Sequence, residues 1–192
     1  TSDAWIRART GIERRHIAAD DQTTSDLGLR AAKQALAQAN VSPEEIDGIV
    51  VATSTPDLTF PSVATMIQSG HGIRSGFAFD VQAESAGIIY ALAVSGQANR
   101  LLVVGAETFS RIMDWTDRST CVLFGDGAGA VVLAASDGTG AASDRGILST
   151  DLNADGSYRD MLFVDGGVSS TGNSGKLRME GNALFRQAVE KL

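Results

Sequence analysis

The sequence predicts an α/β protein in which a mainly parallel sheet is covered by helices. Strand-like and helix-like segments alternate over roughly the first hundred residues. The strand segments are apolar at nearly every position, as strands buried on both faces are. The later part is richer in strand segments and glycine turns. At 192 residues, of which 43% are hydrophobic, the chain is long enough to form a substantial core.

Helices are predicted where capping residues precede apolar residues at helical spacing. The clearest helix covers about residues 25–39, and its residues Leu27, Ala31 and Ala35 share one face. Pro43 marks a single capped helical turn, because proline suits the first helical position. Further helices are predicted over residues 62–69 and 85–95, and from residue 180 onward.

Strands are predicted where β-branched and other apolar residues run continuously. They cover residues 48–53, 77–81, 100–107 and 146–152. The stretch "CVLFGDGAGAVVLAAS", residues 121–136, is predicted to form a strand, a glycine turn and a second strand. Its glycine run resembles a dinucleotide-binding fingerprint only weakly, since it does not open a helix. A tight turn in a buried sheet is the preferred interpretation.

Charge and targeting signals restrict the class of protein. The net charge of −7 argues against a general affinity for nucleic acid or anionic membranes. No signal peptide or apolar run of membrane length is seen, so we expect a cytoplasmic location. Both ends of the sequence look cut. Four arginines near the start could meet ligand phosphates or form ordinary surface ion pairs: Arg7, Arg9, Arg14 and Arg15.

Ser85 lies in a strand-to-helix turn that differs by one residue from the nucleophile elbow of serine hydrolases. Ala83 stands where that elbow has its first glycine. A hydrolytic serine needs a histidine base, which follows the serine in the hydrolase order, whereas His16 and His71 both precede it. Neither histidine has metal-ligand spacing to Cys121, so no metal site is predicted. From the residues alone, a serine that caps the following helix stays open as an alternative.

Several long stretches together are similar to one family. "TSDAWIRARTGIERRHIA", "FDVQA-x-S-AG", "DWTDRSTCVLFGDGAGA" and "LRMEGNALFRQAVEKL" resemble β-ketoacyl-acyl-carrier-protein synthase III, and the likeness covers nearly all 192 residues. The resemblance implies the thiolase fold, an αβαβα layered sandwich of two similar halves. It places the first half in residues 1–145 and the start of the second half in residues 146–192.

The resemblance implies a two-step acyltransferase that initiates fatty acid synthesis. An acyl group, typically acetyl, moves from coenzyme A to a cysteine, and decarboxylation of malonyl-acyl carrier protein then supplies the attacking carbanion. The implied partners are acyl-CoA, malonyl-acyl carrier protein and a second copy in a homodimer. No cofactor is implied beyond the coenzyme A thioester that serves as substrate.

The chain departs from the family pattern around Ser85. Ser85 stands at the position of the nucleophilic cysteine, and a hydroxyl is far less acidic than a thiol. Glu84 replaces a small apolar residue of the family; it is either a base or a tolerated or disruptive substitution. The helix that follows is predicted to be short by about six residues, or roughly 9 Å. The family's histidine and asparagine should lie beyond Leu192. We therefore expect impaired condensation.

The resemblance assigns further residues to substrate binding. Trp5 and Arg118 match a pair that sandwiches the adenine of coenzyme A, and both side chains stack well on flat bases. Thr1 and Arg9 match residues near the nucleotide and its phosphates. Phe60 matches a residue that reaches into the partner's acyl pocket. The alternatives are a hydrophobic anchor for Trp5, an ion pair of Arg118 with Asp114 or Asp117, and core packing for Phe60.

Two other functions stay open. A serine acyltransferase or esterase would use Ser85 with a base from outside this sequence. A non-catalytic ketosynthase-like subunit would bind a full-length homologue and show no turnover.

Overall fold

The structure is a computed structural model that describes residues 2–191, so the predicted site residue Thr1 lies outside the described residues. The chain divides into two compact units that are discontinuous in sequence. The sheet unit comprises Ala18–Glu107 and Gly127–Leu152, and the hairpin unit comprises Thr1–Ile17, Thr108–Asp126 and Asn153–Leu192. The division of a thiolase-like fold at residues 145 and 146 stays a prediction.

The sheet unit contains a four-stranded sheet. Its strands follow the order β2-β1-β3-β4. The strands are β1 (Gly48–Ala52), β2 (Phe77–Val81), β3 (Arg100–Thr108) and β4 (Asp126–Ala134). Strand β1 pairs in parallel with both β2 and β3. The predicted parallel α/β sheet is therefore confirmed.

Helices cover both faces of this sheet. They are α2 (Thr24–Ala39), α3 (Val63–Gly70) and α4 (Gly87–Ala93). Alternate residues of β1 serve the two faces: Ile49 packs in the cluster with α2 and α3, whereas Val50 packs with Ala91 of α4. Full burial of each such aliphatic side chain contributes about 1.5–3 kcal/mol.

Local capping explains where α2 begins and ends. The Thr23 side chain accepts from the Asp26 N–H, and Asp26 accepts in return from the Thr23 N–H, which forms a capping box. Asn40 closes the helix in the left-handed conformation, with φ of 53°. This helix confirms the prediction for residues 25–39 to within one residue.

Two predicted features of the sheet unit are wrong. The expected glycine turn does not form, because Gly127 and Gly129 continue strand β4. The segment 146–152 forms no strand. Ile147 and Leu148 are about half exposed, and no neighbouring strand pairs with this segment among residues 2–191. An apolar run forms a strand only where a partner satisfies its backbone.

The predicted helix over residues 85–95 is interrupted. A 3-10 turn at Glu84–Ala86 leads into the seven residues of α4, and a second 3-10 turn follows at Ser95–Gln97. A cavity of about 800 Å³ opens beside this second turn. The element that should extend from Ser85 is therefore less than two full helical turns of regular α-helix.

The hairpin unit packs around a small antiparallel pair. Strands β5 (Leu162–Val164) and β6 (Leu177–Met179) pair with each other, and helices α1 (Asp3–Thr10) and α5 (Gly181–Lys191) complete the unit. Its core contains Phe109, Ile112, Met113 and Leu177. Helix α5 confirms the helix predicted from residue 180 onward. None of the helices within residues 2–191 has the length and apolar character needed to cross a bilayer.

Candidate active site

Ser85 lies at the carboxyl edge of the parallel sheet. Strand β2 ends at Val81, whose carbonyl accepts from the Thr53 N–H just beyond β1 at 3.1 Å. The chain then turns through the 3-10 segment that holds Ser85, which is exposed. The carboxyl edge is where open α/β sheets bind ligands.

The Ser85 hydroxyl does not cap a helix. Helix α4 takes Ala86 as its N-cap, without a side-chain hydrogen bond. Within residues 2–191 the Ser85 side chain has no hydrogen-bond partner. The capping alternative for Ser85 is therefore wrong, and Ser85 is an exposed residue.

A shallow cavity of about 310 Å³ lies against Ser85. Small residues of β3 and β4 form much of its wall, which gives the glycines of the "GDGAGA" run a place in the site. The lining residues are Ala52, Glu84, Ser85, Ile88, Gly105, Ala106, Glu107, Gly127, Ala128 and Gly129. Among the described residues that line it there is no histidine, lysine or arginine, so this cavity offers Ser85 no cationic partner.

Glu84 has a strained backbone. Its φ of 46° lies in the left-handed region, which costs a residue with a side chain about 1–2 kcal/mol. Its carboxylate Oε1 accepts a hydrogen bond from Ser54 Oγ at 3.2 Å. This contact fixes the Glu84 side chain beside the cavity.

Glu107 is a site residue that the sequence analysis missed. Its Oε1 accepts from the Ser54 N–H at 2.8 Å, and its Oε2 accepts from Thr55 Oγ1 at 2.5 Å. Burial raises the pKa of Glu107; the hydrogen bonds from Thr55 and Ser54 oppose that effect, and the Glu84 charge adds to it. An acidic residue at the end of an otherwise apolar strand was the available sequence signal.

A second cavity, of about 880 Å³, lies in the hairpin unit. Trp5 and Arg118 both line it, although more than a hundred residues separate them in sequence. Helix α5 supplies an apolar wall through Leu184 and Phe185. The Arg9 guanidinium lies 4.7 Å from the centroid of the Trp5 ring. The pair predicted to hold adenine is therefore brought together, with Arg9 adjacent.

The turn that carries Arg118 is organised by two aspartates. Asp114 accepts from Thr116 Oγ1 and from Arg178 Nη1, at 2.6 and 3.1 Å. Asp117 accepts from Ser119 Oγ at 2.6 Å, and hydrogen bonds from Ser119 hold the pKa of Asp117 below its ordinary value. Asp114 forms an ion pair with Arg178 at 3.1 Å.

The exposure of Phe60 and Trp5 tests the two structural alternatives, which are core packing for Phe60 and a hydrophobic anchor for Trp5. Phe60 is 82% exposed, so it does not pack in a core. Trp5 is 43% exposed and lies on the cavity wall, so it is not a buried anchor. Both side chains are free to contact another molecule.

Comparisons with known proteins agree with the predicted family. The family model of 3-Oxoacyl-[acyl-carrier-protein (ACP)] synthase III matches residues 79–156. Beta-ketoacyl-[acyl-carrier-protein] synthase III of Paracoccus denitrificans is 68% identical over 198 residues, which cover 100% of this chain and 61% of that protein. The corresponding protein of Jannaschia sp. is 65% identical over the same coverage.

Solved structures agree with the predicted thiolase-like α/β fold. The 3-oxoacyl-[acyl-carrier-protein] synthase III of Aquifex aeolicus matches with a TM-score of 0.85 and 45% identity, over 97% of this chain and 58% of that one. The Pseudomonas aeruginosa enzyme matches with a TM-score of 0.84 and 42% identity, over 100% and 59%. The chain is therefore similar over its whole length to 3-oxoacyl-[acyl-carrier-protein] synthase III proteins, and it spans about 61% of the length of the curated relatives that it matches.

Proposed function

We propose that this chain is part of an acyltransferase that condenses acyl-CoA with malonyl-acyl carrier protein, the first condensation of fatty acid synthesis in the cytoplasm. The observation that carries the proposal is the shared cavity of Trp5 and Arg118. An indole and a guanidinium that face one cavity can hold a flat adenine by stacking, and Arg9 beside Trp5 can meet a phosphate.

Condensation by this chain is impaired at position 85. The acyl group must move from the sulfur of coenzyme A to a nucleophile, and a cysteine does this as a thiolate. The Ser85 hydroxyl has no base other than the carboxylates of Glu84 and Glu107 in its cavity. We therefore expect acyl-CoA to bind while acyl transfer to the protein is slow.

Mass spectrometry tests the position of the nucleophile. The chain and its Ser85→Cys variant are incubated with acetyl-CoA, and the mass and site of any acetyl group are determined. Acetylation at position 85 in the variant, with none in the parent, supports a replaced nucleophile. If both proteins bind coenzyme A and neither is acetylated, the non-catalytic subunit becomes the better description.

Calorimetry tests the coenzyme A cavity separately. Trp5→Ala and Arg118→Ala should each weaken binding of coenzyme A by about 10-fold, because loss of one stacking face costs about 1–2 kcal/mol. Trp115→Ala is the matched control, since Trp115 is 52% exposed and is not part of the cavity lining. Equal affinity in all four proteins would refute the assignment of Trp5 and Arg118.

A serine acyltransferase or esterase is the second candidate function. The exposed Ser85 hydroxyl, with two carboxylates lining the same cavity, favours it. Hydrolysis of a nitrophenyl ester that is lost in Ser85→Ala but kept in Ser95→Ala would support this function. Hydrolysis that is equal in both variants would exclude Ser85 as its nucleophile.

We also propose a homodimer that involves Phe60. An aromatic side chain that is 82% exposed is a suitable contact for a second copy. Sedimentation of the parent and of Phe60→Ser tests this. A dimer that dissociates at higher concentration in the variant supports it, and identical association refutes it.

A further inference from the structure

Two carboxylates border the cavity at Ser85, and one residue holds both. The Ser54 N–H donates to Glu107 Oε1 at 2.8 Å, and Ser54 Oγ donates to Glu84 Oε1 at 3.2 Å. Glu84 and Glu107 are therefore fixed within the reach of a single serine. Both line the cavity against which Ser85 lies.

Nothing else that lines this cavity offsets their charge. The other lining residues within the described part of the chain are glycine, alanine, isoleucine and serine. Helix α4, which begins two residues after Ser85, has only seven residues. The partial positive charge at its N-terminus, about half an elementary charge, is smaller than the charge of one ionised carboxylate.

The two glutamates differ in what they contribute. Burial favours the neutral form of Glu107, and two donors hold its carboxyl group in place. Glu84 is exposed, accepts from Ser54, and sits next to Ser85 in a left-handed conformation. Glu84 therefore supplies the exposed negative charge beside Ser85, and Glu107 adds to the repulsion when it is ionised.

We propose that Glu84 is a specificity-determining residue, which with Glu107 repels groups carrying a free carboxylate from position 85 and admits uncharged acyl groups. In the proposed function, on which this interpretation rests, acetyl groups would be admitted and malonyl groups disfavoured. Condensation would then be restricted at its second step as well as at its nucleophile. Restoring a cysteine at position 85 would not by itself remove the restriction.

The test uses two alkylating reagents that differ in charge. Iodoacetamide is neutral and iodoacetate carries a carboxylate, and both alkylate the thiol that Ser85→Cys introduces, with loss of iodide. Peptide mass spectrometry separates this thiol from Cys121. The rate constant for iodoacetamide is divided by the rate constant for iodoacetate, and this ratio is compared with the same ratio for glutathione. A higher ratio at position 85 means that the site rejects a carboxylate more strongly.

The Glu84→Gln substitution should lower this ratio by about 3–10-fold in the Ser85→Cys background, because it removes one nearby charge and keeps the acceptor for Ser54. Salt at about 0.5 M should also lower the ratio in the Ser85→Cys protein that keeps Glu84, through screening. Glu44→Gln is the matched control, since Glu44 is exposed and absent from the cavity lining.

A ratio that is the same in Glu84→Gln and Glu44→Gln would overturn the proposal. Circular dichroism of each variant checks that the fold is kept, and alkylation at Cys121 gives an internal reference. Because neither reagent is a thioester, the measurement does not depend on coenzyme A binding. If Trp5→Ala and Arg118→Ala do not weaken coenzyme A binding, the proposed function is refuted. The alkylation ratios would still show whether Glu84 repels a carboxylate.

Discussion

Gly87 packs so closely on Ala52 that a Cβ added to Gly87 would lie 2.8 Å from the Cβ of Ala52. This contact lies between the first residue of α4 and the last residue of β1. It therefore fixes how closely the start of α4, and the Ser85 turn before it, approaches the sheet. Because the Cβ of alanine is fixed to its backbone, Gly87→Ala must move one of the two elements. We predict a loss of about 1–3 kcal/mol in the free energy of unfolding.

Urea denaturation measures this loss, with Gly96→Ala as control. A Cβ on Gly96 would meet no atom within 4 Å, so that substitution should change the free energy of unfolding by less than about 0.5 kcal/mol. Equal stability of the two variants would contradict the close packing of α4 on β1.

Asp80 caps helix α3 from the neighbouring strand. Its two carboxylate oxygens accept from the Val63 and Ala64 N–H groups, each at 2.8 Å. Asp80→Ala leaves two amide donors at the helix start without this acceptor, and we predict a loss of about 1–2 kcal/mol in unfolding free energy. Asp80→Asn keeps one acceptor oxygen and should lose less. Urea denaturation of both variants checks the order, and equal losses would contradict the two-oxygen cap.

The sheet could be predicted from the sequence because its strands are buried on both faces. Val50 and Val51 of β1 are fully buried on opposite faces, and a continuous apolar run requires that environment. Helix α2 was equally clear, since its capping residues and its apolar face are local properties. Helix α1 was not assigned, because Ile6 is its single buried residue and so no apolar period is visible.

The errors arise where tertiary partners decide the local structure. The glycines of residues 125–130 suggested a turn, yet Gly127 and Gly129 remain extended in β4 beside β3. Residues 146–152 have strand-like composition and no strand partner within the described chain. Neither outcome is encoded in the segment itself, because β-propensity measures how well a segment fits its neighbours.

The candidate site was predicted in part. The family resemblance predicts that Trp5 and Arg118 lie close together, and both residues line the same cavity in the structure. Glu107 was missed because its role depends on Ser54 and Thr55, which lie more than fifty residues earlier and meet it only in the folded sheet.

The stability of the fold should depend on pH through Glu107. Burial raises its pKa from the ordinary value of 4.5, so the folded state binds this proton more tightly than the unfolded state. The stability from this group is present below the unfolded pKa and is lost as pH rises through the folded pKa. Glu107→Gln should therefore gain stability relative to the parent as pH rises above the ordinary pKa of a glutamate and through the raised pKa of Glu107.

Urea denaturation of Glu107→Gln and of the parent at several pH values measures that gain. Glutamine keeps an acceptor for the Ser54 N–H, so the comparison isolates the charge. Glu107→Ala should be less stable than the parent at every pH, because Ser54 and Thr55 lose their partner. A difference between Glu107→Gln and the parent that stays constant with pH would argue against a raised pKa.

Within the hairpin unit, Arg178 of strand β6 contacts the turn that carries Arg118. Its Nε donates to Asp165 at 2.7 Å and its Nη1 donates to Asp114 at 3.1 Å. Arg178→Ala removes both contacts and should loosen the turn after Asp114. We predict that coenzyme A binds about fivefold more weakly and that trypsin cleaves after Arg118 about threefold faster. Arg178→Lys should recover only part of this, because an ammonium group lacks the planar fork that reaches two carboxylates.

Arg145→Ala is the charge-matched control for the Arg178 variants, since Arg145 is exposed and forms no ion pair within residues 2–191. It should leave both readouts unchanged. Trypsin cleavage reports the turn directly and needs no ligand, so it tests the positioning role even if coenzyme A is not the substrate. Cleavage after Arg118 at the parental rate in Arg178→Ala would show that Asp114, Asp117 and their hydroxyl partners hold the turn without Arg178.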